Sequence, residues 1–102
     1  MIHVIATIKL KPGTREKYLG ILKANLPNVL AEKGCIAYVP AVDVESGIPV
    51  QAALRSDVVT LVEAWESLAD LQTHLKAPHM LNYREKVKDI VKNISLHVLA
   101  PV

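Results

Sequence analysis

A chain of 102 residues and 11.2 kDa is read as one domain, residues 1–102, with limited surface to bury. Twelve basic against ten acidic residues leave a formal charge of +2, and the Lys and Arg residues are scattered without interleaved aromatics, which argues against a nucleic-acid surface. The single cysteine, Cys35, excludes an internal disulfide and fits a reducing compartment. No cationic stretch precedes the first apolar run, which Lys9 and Lys11 interrupt. Neither a signal peptide nor a membrane span is therefore expected, and a cytoplasmic location is the default. Hydrophobic residues make up 51% of the chain, a surplus that an oligomer interface would absorb.

Residues 2–10 alternate, with Ile2, Val4, Ala6, Ile8 and Leu10 facing one way and His3, Ile5, Thr7 and Lys9 the other. Period two with β-branched residues predicts a strand with one strongly apolar face. Pro12-Gly13 ends it, and the Thr14 hydroxyl is placed to cap a helix. Over residues 15–33, Tyr18, Leu19, Leu22, Leu26, Val29 and Leu30 recur at steps of three and four, which predicts an amphipathic helix. Pro27 should bend or break that helix, and Gly34 suits the left-handed residue beyond its last turn.

Residues 35–44 read as a second strand, and Pro40 confines it to an edge or a bulge. Residues 45–56 form a connection with an apolar tail, read as a loop covering core or, alternatively, as a lid or partner contact. Residues 57–66 are the third strand. Ser67 with Asp70 three residues on starts a second helix, whose stripe is Leu68, Leu71 and Leu75. Ala77-Pro78 interrupts it, and a further helical segment runs through Met80, Tyr83, Val87, Ile90 and Val91. Residues 94–99 alternate again as a closing strand.

The order βαββαβ, with helices on one face of an antiparallel sheet, predicts a ferredoxin-like α+β domain. Two helices cover only one face, so a dimer joined sheet to sheet is the physical expectation for Ile5, Val58 or Val59 and their neighbours.

These residues resemble the antibiotic biosynthesis monooxygenase (ABM) domain family, which includes small quinol monooxygenases. The resemblance rests on Val4-Ile5-Ala6-Thr7-Ile8 with Pro12-Gly13, on Glu32 to Tyr38, on Glu63-Ala64-Trp65, and on the run from Leu71 to Met80 that contains His74, Pro78 and His79. It implies a dimeric α+β barrel that binds a flat aromatic substrate between sheet and helices. It also implies oxidation of quinol-like substrates by molecular oxygen, with no metal or flavin. Relatives in the same superfamily isomerise small phosphorylated diones, degrade haem or have no known activity, so the fold constrains chemistry weakly. Two departures stand out: a connection between Tyr38 and Glu63 that looks longer than usual, and Ala6-Thr7, His74 and Arg84 where haem-degrading relatives carry Asn and a Trp/His pair. Haem degradation is disfavoured.

Cofactor-free oxygenation needs a dry pocket, a proton acceptor and hydrogen-bond donors for the resulting oxyanion. His79 follows Pro78 in the first turn of a helix, whose positive end favours neutral imidazole. It is the candidate catalytic base or substrate orienter; the alternative is a histidine bonded to backbone at the helix break. Trp65, His74, Tyr38 and Tyr83 are the candidate substrate-binding residues, each with an alternative role as core or half-buried packing. Glu63 shares a strand face with Trp65 and reads as a base or, preferentially, as one half of an ion pair with a cation such as Arg84 across the dimer. His74 and His79 lie five apart across a proline, which does not match a helical metal motif, so no metal site is expected; that no organic cofactor is needed is what the resemblance implies. Cys35 reads as a small hydrophobe. The expected function is a cofactor-independent monooxygenase acting on a small quinol-like or polyphenolic substrate. The alternatives are a non-catalytic ligand-binding or interaction dimer of the same fold and an isomerase of a small carbonyl compound.

Overall fold

Apolar alternation in the strands and Gly/Pro punctuation between elements produce the architecture seen in the computed structural model, which describes residues 1–102. Four strands, β1 (Ile2–Leu10), β2 (Cys35–Ala41), β3 (Val58–Trp65) and β4 (Val91–Leu99), form one antiparallel sheet in the order β2-β3-β1-β4. Helices α1 (Arg15–Leu30), α2 (Leu68–Lys76) and α3 (Pro78–Val87) complete a βαββαβ, ferredoxin-like arrangement. The strand bearing Pro40 is an edge, as the missing amide requires, and the register slips between Cys35 and Ala37.

Several local expectations are adjusted. Pro27 does not break α1; three further residues stay helical before the chain turns at Ala31. The Thr14 hydroxyl makes no helix cap and instead donates to the Lys11 carbonyl at 2.7 Å. β2 stops at Ala41, three residues short of the expected end. Ser67 does cap α2, accepting from the Asp70 amide at 3.1 Å. The second helical region is two helices, because Ala77 is extended and Pro78 opens α3 with its fixed φ and absent donor. Ile90 and Val91 leave the helix, and Val91 begins β4.

Register decides which side chains meet. Val4 faces Glu63, Ala6 faces Leu61 and Ile8 faces Val59, all beneath the helices, while Val58, Thr60 and Val62 point the other way. Val59 thus belongs to the core and Val58 to the opposite sheet face. The core joins β1 and β3 to Tyr18, Leu22 and Val29 of α1, Leu71 of α2, and Met80, Tyr83 and Val87 of α3. On β4 the residues aligned with this face, Ile94, Leu96 and Val98, remain 45–51% exposed. The helices therefore leave the β4 side of the sheet open.

Residues 42–57 have no helix or strand, yet they are tied down. Arg55 grips Asp43 with two guanidinium bonds of 2.8 and 2.9 Å plus its own amide at 2.9 Å. That fork holds the partly buried Asp43 carboxyl down at about 2. Gln51 donates to the Val44 carbonyl at 2.7 Å.

Candidate active site

Between the sheet and the helices, toward the open β4 side, lies a cavity of about 390 Å³ in which 11 of 15 lining residues are hydrophobic. Its floor is Ala6 and Ile8 of β1, Leu61 and Glu63 of β3 and Tyr38 of β2; its roof is His74 and Leu75 of α2 with Met80, Tyr83 and Val87 of α3. Val91, Ile94 and Leu96 form the outer sill, and Arg84 and Lys88 complete the lining. The volume suits a small flat molecule, and the walls favour an apolar one.

Three of the candidate substrate-binding residues, Tyr38, His74 and Tyr83, line this cavity. Trp65 does not line it. Its side chain is fully buried behind His74, with ring centroids 4.7 Å apart, and its indole donates to Glu63 Oε1 at 3.0 Å. Tyr38 meets the His74 ring edge-on at 5.4 Å. Tyr83 shares a hydroxyl–hydroxyl hydrogen bond with Tyr18 of α1, their rings crossing at 67°. Burial pushes all three tyrosines above the ordinary phenol range, so each remains a donor at neutral pH.

His79 lies elsewhere. It lines a separate hollow of about 150 Å³ with Asn25, Asn28, Asn82 and Lys86, where Asn25 Nδ2 approaches its Nδ1 at 3.2 Å. The reason is the helix break: α3 starts afresh at Pro78, and its first turn aims His79 at Asn25 of α1 while Met80 faces the cavity. His79 still connects to the cavity through Glu32, whose Oε1 lies 3.6 Å from His79 Nε2 and whose Oε2 accepts from His74 Nδ1 at 2.6 Å. With a carboxylate on Nδ1, the neutral His74 ring carries its proton there and leaves Nε2 as an acceptor. Burial lowers the His74 pKa below its usual value, although the Glu32 bond pulls the other way.

One residue of this constellation was not among the sequence candidates. Glu32 lies between α1 and β2, and nothing in its local pattern announces a partner 42 residues away. Glu63 was visible as a strand neighbour of Trp65, but it joins no ion pair within the chain. Arg84 donates to the Leu75 carbonyl at 2.7 Å and so caps the end of α2. Glu63 is 4% exposed, and burial raises its carboxyl to about 7, opposed by the Trp65 hydrogen bond. No group of three His, Cys, Asp or Glu side chains is arranged as metal ligands would be.

Residues 1–86 match the family described as antibiotic biosynthesis monooxygenase. The chain belongs to this family. It is 39% identical over 103 residues to "Probable quinol monooxygenase YgiN" of Escherichia coli strain K12, covering 99% of this chain and 98% of that protein. Among solved structures, the Rv0793 protein of Mycobacterium tuberculosis superposes with a TM-score of 0.80 at 27% identity, covering 99% and 94% of the two chains. PA3566 of Pseudomonas aeruginosa gives 0.81 at 25% identity, covering 99% and 93%. The chain thus shares its ferredoxin-like architecture with these two structures.

Proposed function

We propose that this protein is a cytoplasmic, cofactor-independent monooxygenase that oxidises a small quinol-like or polyphenolic substrate with molecular oxygen. The observation that carries this reading is the mainly apolar cavity whose lining also includes Tyr38, Tyr83, His74 and Glu63, with Arg84 and Lys88 as its two cations. Similarity to a protein described as a quinol monooxygenase supports the substrate class.

In this reading the ring lies between the sheet floor and Met80, and loss of a phenolic proton makes it electron-rich enough to react with oxygen. The tyrosine hydroxyls donate to the phenolate in a site with little competing water. The reaction needs no external reductant. A hydroquinone supplies all four electrons, one oxygen atom enters the ring, the other leaves as water, and a hydroxyquinone is the product. His74, oriented by Glu32, stands at the substrate. His79 acts through Glu32 as a positioning residue.

The working unit is a homodimer. Val39, Val62 and Leu99, on the face away from the helices, are each 43–52% exposed, and residues 42–57 add exposed Val44, Ile48, Val50 and Leu54. A second copy laid sheet to sheet would remove this apolar area from water.

Oxygen-electrode measurements on metal-free protein with a panel of benzo- and naphthohydroquinones test the activity. Consumption of one oxygen per quinol with hydroxyquinone formed is the expected result. Absence of uptake with every quinol, together with proton exchange into a small dione, would replace oxygenation by isomerisation.

A further inference from the structure

Glu63 is anomalous in its surroundings. It sits in the middle of β3, opposite Tyr38 on one neighbouring strand and Val4 on the other, and it faces the cavity. A carboxyl in such a place is ordinarily matched by a cation or by several donors, because an unpaired buried charge is costly. Here only the Trp65 indole bonds to it, through Oε1, and Oε2 receives no hydrogen bond from the chain. The titratable groups around it are His74 from α2, Tyr83 and Arg84 from α3, Lys88 just beyond α3, Tyr38 and Cys35 from β2, Tyr18 from α1, and Glu32 beyond His74. None of them forms an ion pair with Glu63.

We propose that Glu63 is the catalytic proton acceptor of the cavity, taking the phenolic proton of a bound quinol on its free carboxylate oxygen while Trp65 holds the other. The substrate O–H bond breaks, the proton bonds to Oε2, and the electron pair stays on the substrate oxygen. A buried, unpaired carboxylate becomes a neutral acid, and the negative charge moves to an oxygen that Tyr38 and Tyr83 are placed to hydrogen-bond. The direction of transfer relieves the charge that the apolar walls disfavour. A carboxyl poised near neutrality is also suited to accept a proton and later release it. This role rests on the quinol-oxidising reading of the site, but its physical core is independent of oxygen: any acidic phenol bound here should give up its proton to Glu63.

The test uses the full-length protein and Glu63→Gln, which preserves shape and the indole acceptor. With an active quinol, E63Q should lose about 10²–10⁴-fold in kcat, the range of general-base catalysis, with KM little changed. The rising limb of the wild-type pH profile near neutrality should vanish in the variant. In parallel, 3-nitrophenol, a weaker acid than its 4-isomer, is titrated into both proteins and its absorption spectrum recorded at a pH above that at which Glu63 ionises and below the phenol's own pKa. The wild type should bind it as the yellow phenolate and E63Q as the colourless phenol. Turnover by E63Q within twofold of wild type would overturn the proposal, as would nitrophenol that binds the wild type as the phenol or not at all. A phenolate band in the wild type with no oxygen uptake from any quinol would uphold Glu63 as proton acceptor and sink quinol oxidation instead.

Discussion

Glu32 accepts a 2.6 Å hydrogen bond from Nδ1 of His74 across 42 residues of sequence, tying the α1–β2 link to the last turn of α2. Its other oxygen is 3.6 Å from the partly exposed His79. The two contacts should differ in strength. Glu32→Ala strands a buried imidazole and should cost about 1–3 kcal/mol in urea unfolding, the penalty for a buried polar group left unsatisfied. His79→Ala should cost less than about 1 kcal/mol, in line with a long, partly solvated pair. Equal losses from both substitutions would show that His79 carries structural weight the distances do not assign to it.

Glu63 gives the protein a pH dependence of unusual sign. Its folded value of about 7 exceeds the ordinary 4.5, so between those limits the folded state binds the proton more tightly than the unfolded chain does. Stability therefore falls as pH rises from about 4.5 to about 7, by an amount on the order of 3 kcal/mol across the window. E63Q lacks this penalty. Urea midpoints of the variant should rise progressively above those of the wild type through this interval and run parallel outside it.

The fold was legible because the strands alternate and their ends are punctuated: Pro12-Gly13, Gly34, and Ser67 with Asp70 each act where the sequence places them. The site was legible only in part. Tyr38 and Tyr83 could be nominated from a strand and an apolar stripe, because period and register aim such residues inward. Glu32 could not be nominated, since its role exists only once α2 folds over the sheet. His79 was nominated from its place in the first turn of a helix, next to Pro78, but that turn aims it toward Asn25 of α1 and not into the cavity. Within one chain Arg84 donates to a helix-end carbonyl and does not pair with Glu63; the ion pair expected between them was one across a dimer, which only a second copy could make.

Gly34 occupies φ +80, and a Cβ built there would meet Asp70 Oδ2 at 2.2 Å and Asp70 Cβ at 2.7 Å. The same glycine accepts the Glu66 amide at 2.8 Å, so the backbone cannot easily swing aside. Gly34→Ala should lose about 1–3 kcal/mol of stability from left-handed backbone strain and the clash together. Pairing it with Asp70→Ala should recover part of that loss in a double-mutant cycle; no recovery would assign the whole cost to backbone strain.

The open sheet face predicts association. Sedimentation at micromolar concentration should give twice the 11.2 kDa chain mass for the wild type. Val39→Lys combined with Val62→Lys places two charges on neighbouring strands of that face and should shift the mass toward one chain without unfolding it. A wild type that sediments as a single chain would refute the dimer.

The clasp between Asp43 and Arg55 bears on how such an association would be reached. Residues 42–57 form a long segment without regular structure and would ordinarily surrender much conformational freedom on meeting a partner. Because the clasp and the Gln51–Val44 bond already fix their course within one chain, that entropy is lost during folding and not during encounter. Releasing the clasp, by Arg55→Ala, should weaken assembly while leaving the apolar contact surface chemically unchanged.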